Sequence, residues 1–156
     1  MEIENIKWGG SGIEKCVFDY LIERFPKNTK MLEFGAGDVS TKAFSQYFDL
    51  TTIEQMNEWI GRYPSKYIHA PLRGDWYDRN YLLNLPKDFE IVFVDGPLGD
   101  KRQGVLNNLD LFNTDCVWVF HDIYRPTERK LAIDFANQTN KKINFFETCD
   151  YWAVVE

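Results

Sequence analysis

Cysteine and positive charge are both scarce in this chain of 156 residues. The three cysteines, Cys16, Cys116 and Cys149, are odd in number, and none belongs to a CxxC pair. That argues against a disulfide scaffold or a zinc site and fits a reducing cytoplasm. Cys16 and Cys116 lie in apolar patterns and read as buried thiols. Lysine and arginine total 18 against 24 acids, for a net charge of −6. Phosphate contacts need a basic surface, so the charge argues against a dedicated nucleic-acid binder. No apolar run approaches the length of a membrane span. The opening Met-Glu-Ile-Glu-Asn lacks the basic and apolar character of a secretion signal. Internal repeats and low-complexity tracts are missing too.

Apolar and aromatic residues are abundant, at 44% and 16%. This suits one domain with a real core over residues 1–156, with 1–28 forming an N-terminal segment and helix packed on it. Within that segment Trp8-Gly9-Gly10-Ser11-Gly12 is a flexible stretch, able to fold over a ligand or to cap a helix through Ser11. Ile13, Val17, Phe18, Leu21, Ile22 and Phe25 follow at helical spacing, and Pro26 and Asn28 end the pattern.

The organising stretch is Lys30-Met-Leu-Glu-Phe-Gly-Ala-Gly-Asp-Val-Ser40. Met31, Leu32 and Phe34 predict a short buried strand. Gly35 and Gly37 predict a tight turn, and Ser40 a cap on a helix over 40–48. Strand, glycine turn and helix make the layout of a ligand crevice in an open α/β sheet. Glu33, just before the turn, suits a cationic or amine-bearing ligand better than a pyrophosphate, which prefers bare amides.

Glu33-Phe34-Gly35-Ala36-Gly37 resembles the first motif of the class I S-adenosylmethionine-dependent methyltransferases. The resemblance extends over about residues 10–156. It implies a Rossmann-like, three-layer α/β/α sandwich on a mostly parallel seven-stranded sheet, with an antiparallel C-terminal strand. It also implies that Glu33 to Gly37 and Ser40 cradle S-adenosylmethionine. Glu54 closes a second strand, Leu50-Thr-Thr-Ile-Glu54, 17 residues after Gly37, where an acid takes ribose hydroxyls in nucleotide-binding α/β folds. The resemblance gives Glu54 the same role and sets Gln55 beside the adenine, at the start of a helix expected over 55–62. Many relatives have an acid at the end of the third strand, but here the strand 66–70 ends in His69-Ala70-Pro71. Asp75 and Trp76, in a loop at 73–77, are the remaining candidates for the adenine. His69 reads as structural.

Two further strands end in ionisable residues. Glu90-Ile-Val-Phe-Val-Asp95 is a continuous apolar run, as in a parallel strand covered on both faces. Cys116-Val-Trp-Val-Phe120 leads into His121-Asp122. Helices are expected over 102–112 and from Pro126 to about Asn137, then strands over 142–146 and 151–155 joined by a tight turn.

Methyl transfer to oxygen needs an aligned nucleophile and removal of its proton. Two routes are open. His121 is a general base, with Asp122 beside it. Alternatively, Asp95 and Asp122 hold Mg2+ or another divalent ion that lowers the acceptor's pKa. The second route is similar to that of metal-dependent O-methyltransferases, although the residue after Asp122 is Ile123 where those have another oxygen donor. Asp95 also suits the amine of the cofactor. Val94-Asp95-Gly96-Pro97 and Phe120-His121-Asp122 resemble segments of small methyltransferases that act on sugars, so the expected acceptor is a glycan or small polyhydroxyl compound. Arg102 and Arg125 suit an anionic or sugar substrate. A nicotinamide-dependent oxidoreductase and a non-catalytic cofactor-binding partner are the competing readings. Trp8, Trp59 and Trp152 are compatible with a homodimer.

Overall fold

A computed structural model describes residues 3–156. The elements in chain order are α1 (Lys15–Arg24), β1 (Lys30–Phe34), α2 (Ser40–Phe44), β2 (Asp49–Glu54), β3 (Lys66–His69), β4 (Leu72–Arg73), β5 (Trp76–Tyr77), β6 (Ile91–Val94), β7 (Val117–His121), α3 (Pro126–Thr139), β8 (Ile143–Phe146) and β9 (Trp152–Val155). Seven strands form one sheet in the order β3-β2-β1-β6-β7-β9-β8. The first five in that order run parallel, and β9 lies antiparallel to both β7 and β8. This is the expected Rossmann-like sheet with an inserted antiparallel last strand.

The strand period of two divides the core between the faces. Leu32, Phe34, Val92, Val94, Trp118 and Phe120 point to one side and meet Leu131 and Phe135 of α3. Met31, Ile91, Phe93 and Val119 point to the other and meet Val17, Phe18 and Leu21 of α1 with Ala43 and Phe44 of α2. Helices therefore cover both faces, which is why β6 is wholly apolar. β1 pairs with β2 on one side and β6 on the other, so the strand order reverses between β1 and β6. The crevice of an open α/β sheet lies at such a reversal, beyond the carboxyl ends of the strands.

Several local expectations differ. The helix expected over 55–62 is a single 3-10 turn at Asn57–Trp59. The one expected over 102–112 is 3-10 at Gly99–Asn107 and Leu109–Leu111. Apolar residues recur there, but the segment must follow the crevice mouth, and no helical face forms. The loop at 73–77 contains a small hairpin, β4 with β5. Neither serine caps as expected: Val39 precedes α2, which starts at Ser40 itself, and Glu14 precedes α1. α1 stops at Phe25, whose extended backbone is what a residue before proline adopts. α3 ends at Asn140 in the left-handed region (φ 53°).

The cysteine reading is corrected. Cys16 and Cys149 form a disulfide across 133 residues, tying α1 to the β8–β9 turn, and the half-buried Cys116 is free. Neither cysteine's neighbourhood in sequence signals the pairing, because only the fold brings α1 and the turn together. Trp152 is 3% exposed and stacks on Phe146, so it belongs to the core and offers nothing to a dimer. Among the described residues no helix is long and apolar enough to cross a membrane.

Candidate active site

Two glycine turns meet at the reversal. Gly35, at φ 85°, follows β1, and Gly96 follows β6. A Cβ on Gly35 would lie 2.7 Å from the Asp95 carbonyl oxygen, and one on Gly96 would lie 2.6 Å from the Tyr77 hydroxyl and 2.7 Å from Gly35 Cα. The turns pack backbone against backbone, and only glycine fits at either contact.

Glu54 braces the first turn from β2. Its carboxylate accepts hydrogen bonds from the amides of Ala36 (2.8 Å) and Met56 (2.7 Å). It also lines a cavity of about 140 Å3 with Gly35, Ala36, Gln55, Trp59, Tyr77 and Asp95. Through Ala36, Trp59, Asp95 and Leu98 this cavity adjoins a second of about 350 Å3, reached by Ser11, Gly12, Gly37, Ser40, Arg102, Asp122 and Arg125. Ala36, Gly35, Gly37, Ser40, Glu54, Gln55 and Asp95 thus come together as expected, and the Gly9–Gly12 stretch does reach the mouth.

Four expected cofactor contacts are not brought there. Glu33 is fully buried. Its Oε2 accepts from the hydroxyls of Thr41 (2.8 Å) and Thr52 (3.0 Å), and Thr41 Oγ1 accepts from the Gly37 amide (2.9 Å). Glu33 therefore supports the turn from beneath. Burial raises its pKa to about 8, against the pull of the Ser40, Thr41 and Thr52 hydroxyls, and Oε1 has no hydrogen-bond partner among the described residues. Phe34 is buried among Trp76, Tyr77, Phe112 and Trp118. Trp76 belongs to that same aromatic core, and Asp75 lines a separate surface hollow with Lys101. Tyr77 packs on Phe34 in the same core but also lines the smaller cavity, which Trp76 does not.

His121 is the centre of a charged cluster. It is 4% exposed. Nδ1 faces Asp95 Oδ1 and Asp122 Oδ1, both at 3.4 Å, and Nε2 lies 2.9 Å from Asp150 Oδ2. Burial would lower its pKa, but the hydrogen bonds to Asp150 and Asp95 outweigh burial and push it up to about 10. A ring held so among carboxylates favours the protonated form, which runs against the expected role of His121 as a general base. Asp150 also accepts from the Glu14 amide (3.0 Å), so the β8–β9 turn is joined to α1 at the site. Burial raises the Asp150 pKa, but its bonds from His121 and from the backbone amides of Glu14 and Tyr151 bring it below the usual range. Sequence reading missed Asp150 because it follows no strand end of the parallel sheet. Asp122 adopts the left-handed backbone region (φ 61°), uncommon for a residue other than glycine and concentrated at functional sites.

Arg102 closes the cluster. Its side chain is 6% exposed, and its guanidinium holds Asp95 Oδ1 and Asp122 Oδ2, each at 3.1 Å. Nε donates to the Pro97 carbonyl (3.1 Å). Arg125 stands 3.6 Å from Asp122 and 3.7 Å from Glu128.

No known family and no curated protein matches the chain by sequence. Solved structures do match it. The precorrin 8w decarboxylase of Methanobacterium thermoautotrophicum superposes with a TM-score of 0.64 at 14% identity, over 99% of this chain and 97% of that one. The fibrillarin of Aeropyrum pernix, with S-adenosyl-L-methionine bound, gives 0.63 at 10% identity over 100% and 84%. The MycE methyltransferase of the mycinamycin biosynthetic pathway, in complex with Mg and SAH, gives 0.63 at 14% identity over 96% of this chain and 50% of that one. With the reversal between β1 and β6 and the inserted β9, these likenesses identify the chain's fold as that of the class I, Rossmann-like S-adenosylmethionine-dependent methyltransferases.

Proposed function

We propose that this chain is an S-adenosylmethionine-dependent methyltransferase that acts on a hydroxyl of a sugar or another small polyhydroxyl compound. The observation that carries the reading is Glu54, buried at the floor of a cavity bounded by the Gly35 and Gly96 turns, where a carboxylate suits a ribose diol. The cofactor's methionine end would extend past Ala36 and Asp95 into the larger cavity, and the acceptor would enter beside it. Ser11, Asp38, Ser40, Asp122 and Arg125 line that cavity, a set of donors and acceptors suited to hydroxyl groups. The acceptor oxygen would attack the methyl carbon, the C–S bond would break toward sulfur to leave the neutral thioether, and the hydroxyl proton would go to a carboxylate. Asp95, at the boundary of the two cavities, is the group placed to take it.

A divalent ion on Asp95 and Asp122 does not fit this arrangement. Both carboxylates are held by Arg102, and both nitrogens of His121 face carboxylates. No step here runs through a metal.

Calorimetric titration with S-adenosylmethionine, S-adenosylhomocysteine and NAD tests the reading. Saturable binding of the first two without NAD is the expected result. Binding of NAD alone would favour an oxidoreductase, and binding of none of the three would remove the cofactor assignment.

A further inference from the structure

Asp95, His121 and Asp122 each offer a ligand atom within 4.8 Å of the others, the spacing of a metal-binding trio. Magnesium needs near-octahedral oxygen ligands at about 2.0–2.1 Å. It also needs negative charge left over to attract it. In this site the place and the charge are both taken. One guanidinium bridges Asp95 Oδ1 and Asp122 Oδ2. His121 Nδ1 faces the same two residues at 3.4 Å, so the space between the carboxylates is filled by the guanidinium on one side and the ring on the other. Both ring nitrogens of His121 already face carboxylates, Nδ1 those of Asp95 and Asp122 and Nε2 that of Asp150.

We infer that Arg102 is a built-in cation that excludes a divalent ion from the Asp95–His121–Asp122 trio and holds the two carboxylates in place of one. A guanidinium is planar and permanently charged, and its fork matches two carboxylate oxygens at once. The chain also fixes its position. Arg102 lies in the 3-10 segment Gly99–Asn107, and its Nε is committed to the Pro97 carbonyl. Two residues on, Gly104 packs so closely on Trp76 that a Cβ there would lie 2.4 Å from the Trp76 Cβ. Gln103 Nε2 donates to the Thr127 carbonyl at 2.6 Å and Asn108 Nδ2 to the Gly104 carbonyl at 2.8 Å. The segment is pinned to β5 and α3, and swinging Arg102 aside would leave two poorly solvated carboxylates without their partner.

The consequence for the reaction rests on the methyltransferase reading: acceptor and cofactor would be aligned without a metal bridge, and chelators would leave turnover unchanged. The exclusion itself stands apart from that reading, because it is tested with the metal alone. Mn2+ is titrated into the purified full chain, with free ion followed by electron paramagnetic resonance, for wild type, Arg102→Met and Arg102→Lys. Wild type and Arg102→Lys, which both retain a cation, are expected to show no saturable binding up to about 1 mM, the weak end of protein cation sites. Arg102→Met keeps the apolar stem and removes the charge. It is expected to bind Mn2+ at least about tenfold tighter than wild type and to melt at a higher temperature when Mn2+ is present. The gain should vanish in Arg102→Met with Asp122→Asn.

Binding to wild type at micromolar Mn2+ that Asp95→Asn abolishes would overturn the inference, since the ion would then displace the guanidinium. So would a folded Arg102→Met chain with no gain in Mn2+ affinity. If Arg102→Met does not fold, wild type and Arg102→Lys decide the matter by the same criterion.

Discussion

At pH 8 the Glu33→Gln variant should be more stable than the wild-type chain, although glutamate is the residue the resemblance would assign to ligand binding. Glu33 is fully buried, and its two threonine donors do not offset its loss of hydration, so its pKa rises from 4.5 to about 8. A carboxyl group whose folded pKa is raised binds its proton more tightly in the folded state. Its contribution is present in full below pH 4.5 and is lost as pH climbs through 8. At about 1.4 kcal/mol per pH unit, the loss is about 3 kcal/mol by pH 7 and approaches 5 kcal/mol above pH 8. Glutamine has the shape of the protonated acid. Its amide oxygen can accept from both threonines, as Glu33 Oε2 does, and it titrates nowhere in this range. Urea denaturation of both proteins at pH 5, 7 and 8.5 measures the difference directly. The two curves should nearly meet at pH 5 and separate by several kcal/mol at pH 8.5. Parallel pH profiles would refute the reasoning, because they would mean that Glu33 stays ionised in the folded protein at no cost.

Other perturbations follow the same logic. Glu54→Ala should weaken S-adenosylhomocysteine binding by about 1–3 kcal/mol in a calorimetric titration, and unchanged affinity would take Glu54 out of the site. The Tyr77 hydroxyl is buried without a partner and lines the smaller cavity. Tyr77→Phe should therefore leave the melting temperature of the unliganded protein unchanged or higher, while the same ligand binds about three- to tenfold more weakly. Nitrogen NMR of His121 should show a doubly protonated ring at pH 8. Its pKa of about 10 adds stability below pH 6.5 that disappears as pH rises through 10, and a neutral ring at pH 8 would overturn the charge assignment. Reducing the Cys16–Cys149 disulfide opens a closure of 133 residues and should cost about 2–4 kcal/mol in denaturant titrations, with Cys16→Ser giving the same loss without reductant.

Patterns confined to one strand and its turn were legible in the sequence. Apolar runs at β1, β6 and β7 gave the strands, and Gly35 and Gly37 gave the turn. Acids at the carboxyl ends of β2 and β6 gave Glu54 and Asp95, because a parallel strand must deliver its last residue to the crevice edge. Trp76 and Tyr77 show the limit. Both are aromatic, adjacent and packed on Phe34, yet of the two only Tyr77 lines the smaller cavity, and the pairing of this strand with Leu72 and Arg73 is invisible to periodicity.

Short-range spacing and the burial of apolar faces were enough to set out the layered α/β sheet, the crevice at the first glycine turn and the residues at its strand ends. What those residues carry depended on the folded chain. Glu33 is sealed beneath the turn. Asp150, from the distant β8–β9 turn, lies 2.9 Å from His121 and raises its pKa. Arg102, in a segment with no helical face, stands where a metal was expected. Charge state depends on burial and on partners brought from far along the chain, and neither is encoded in the spacing of neighbouring residues.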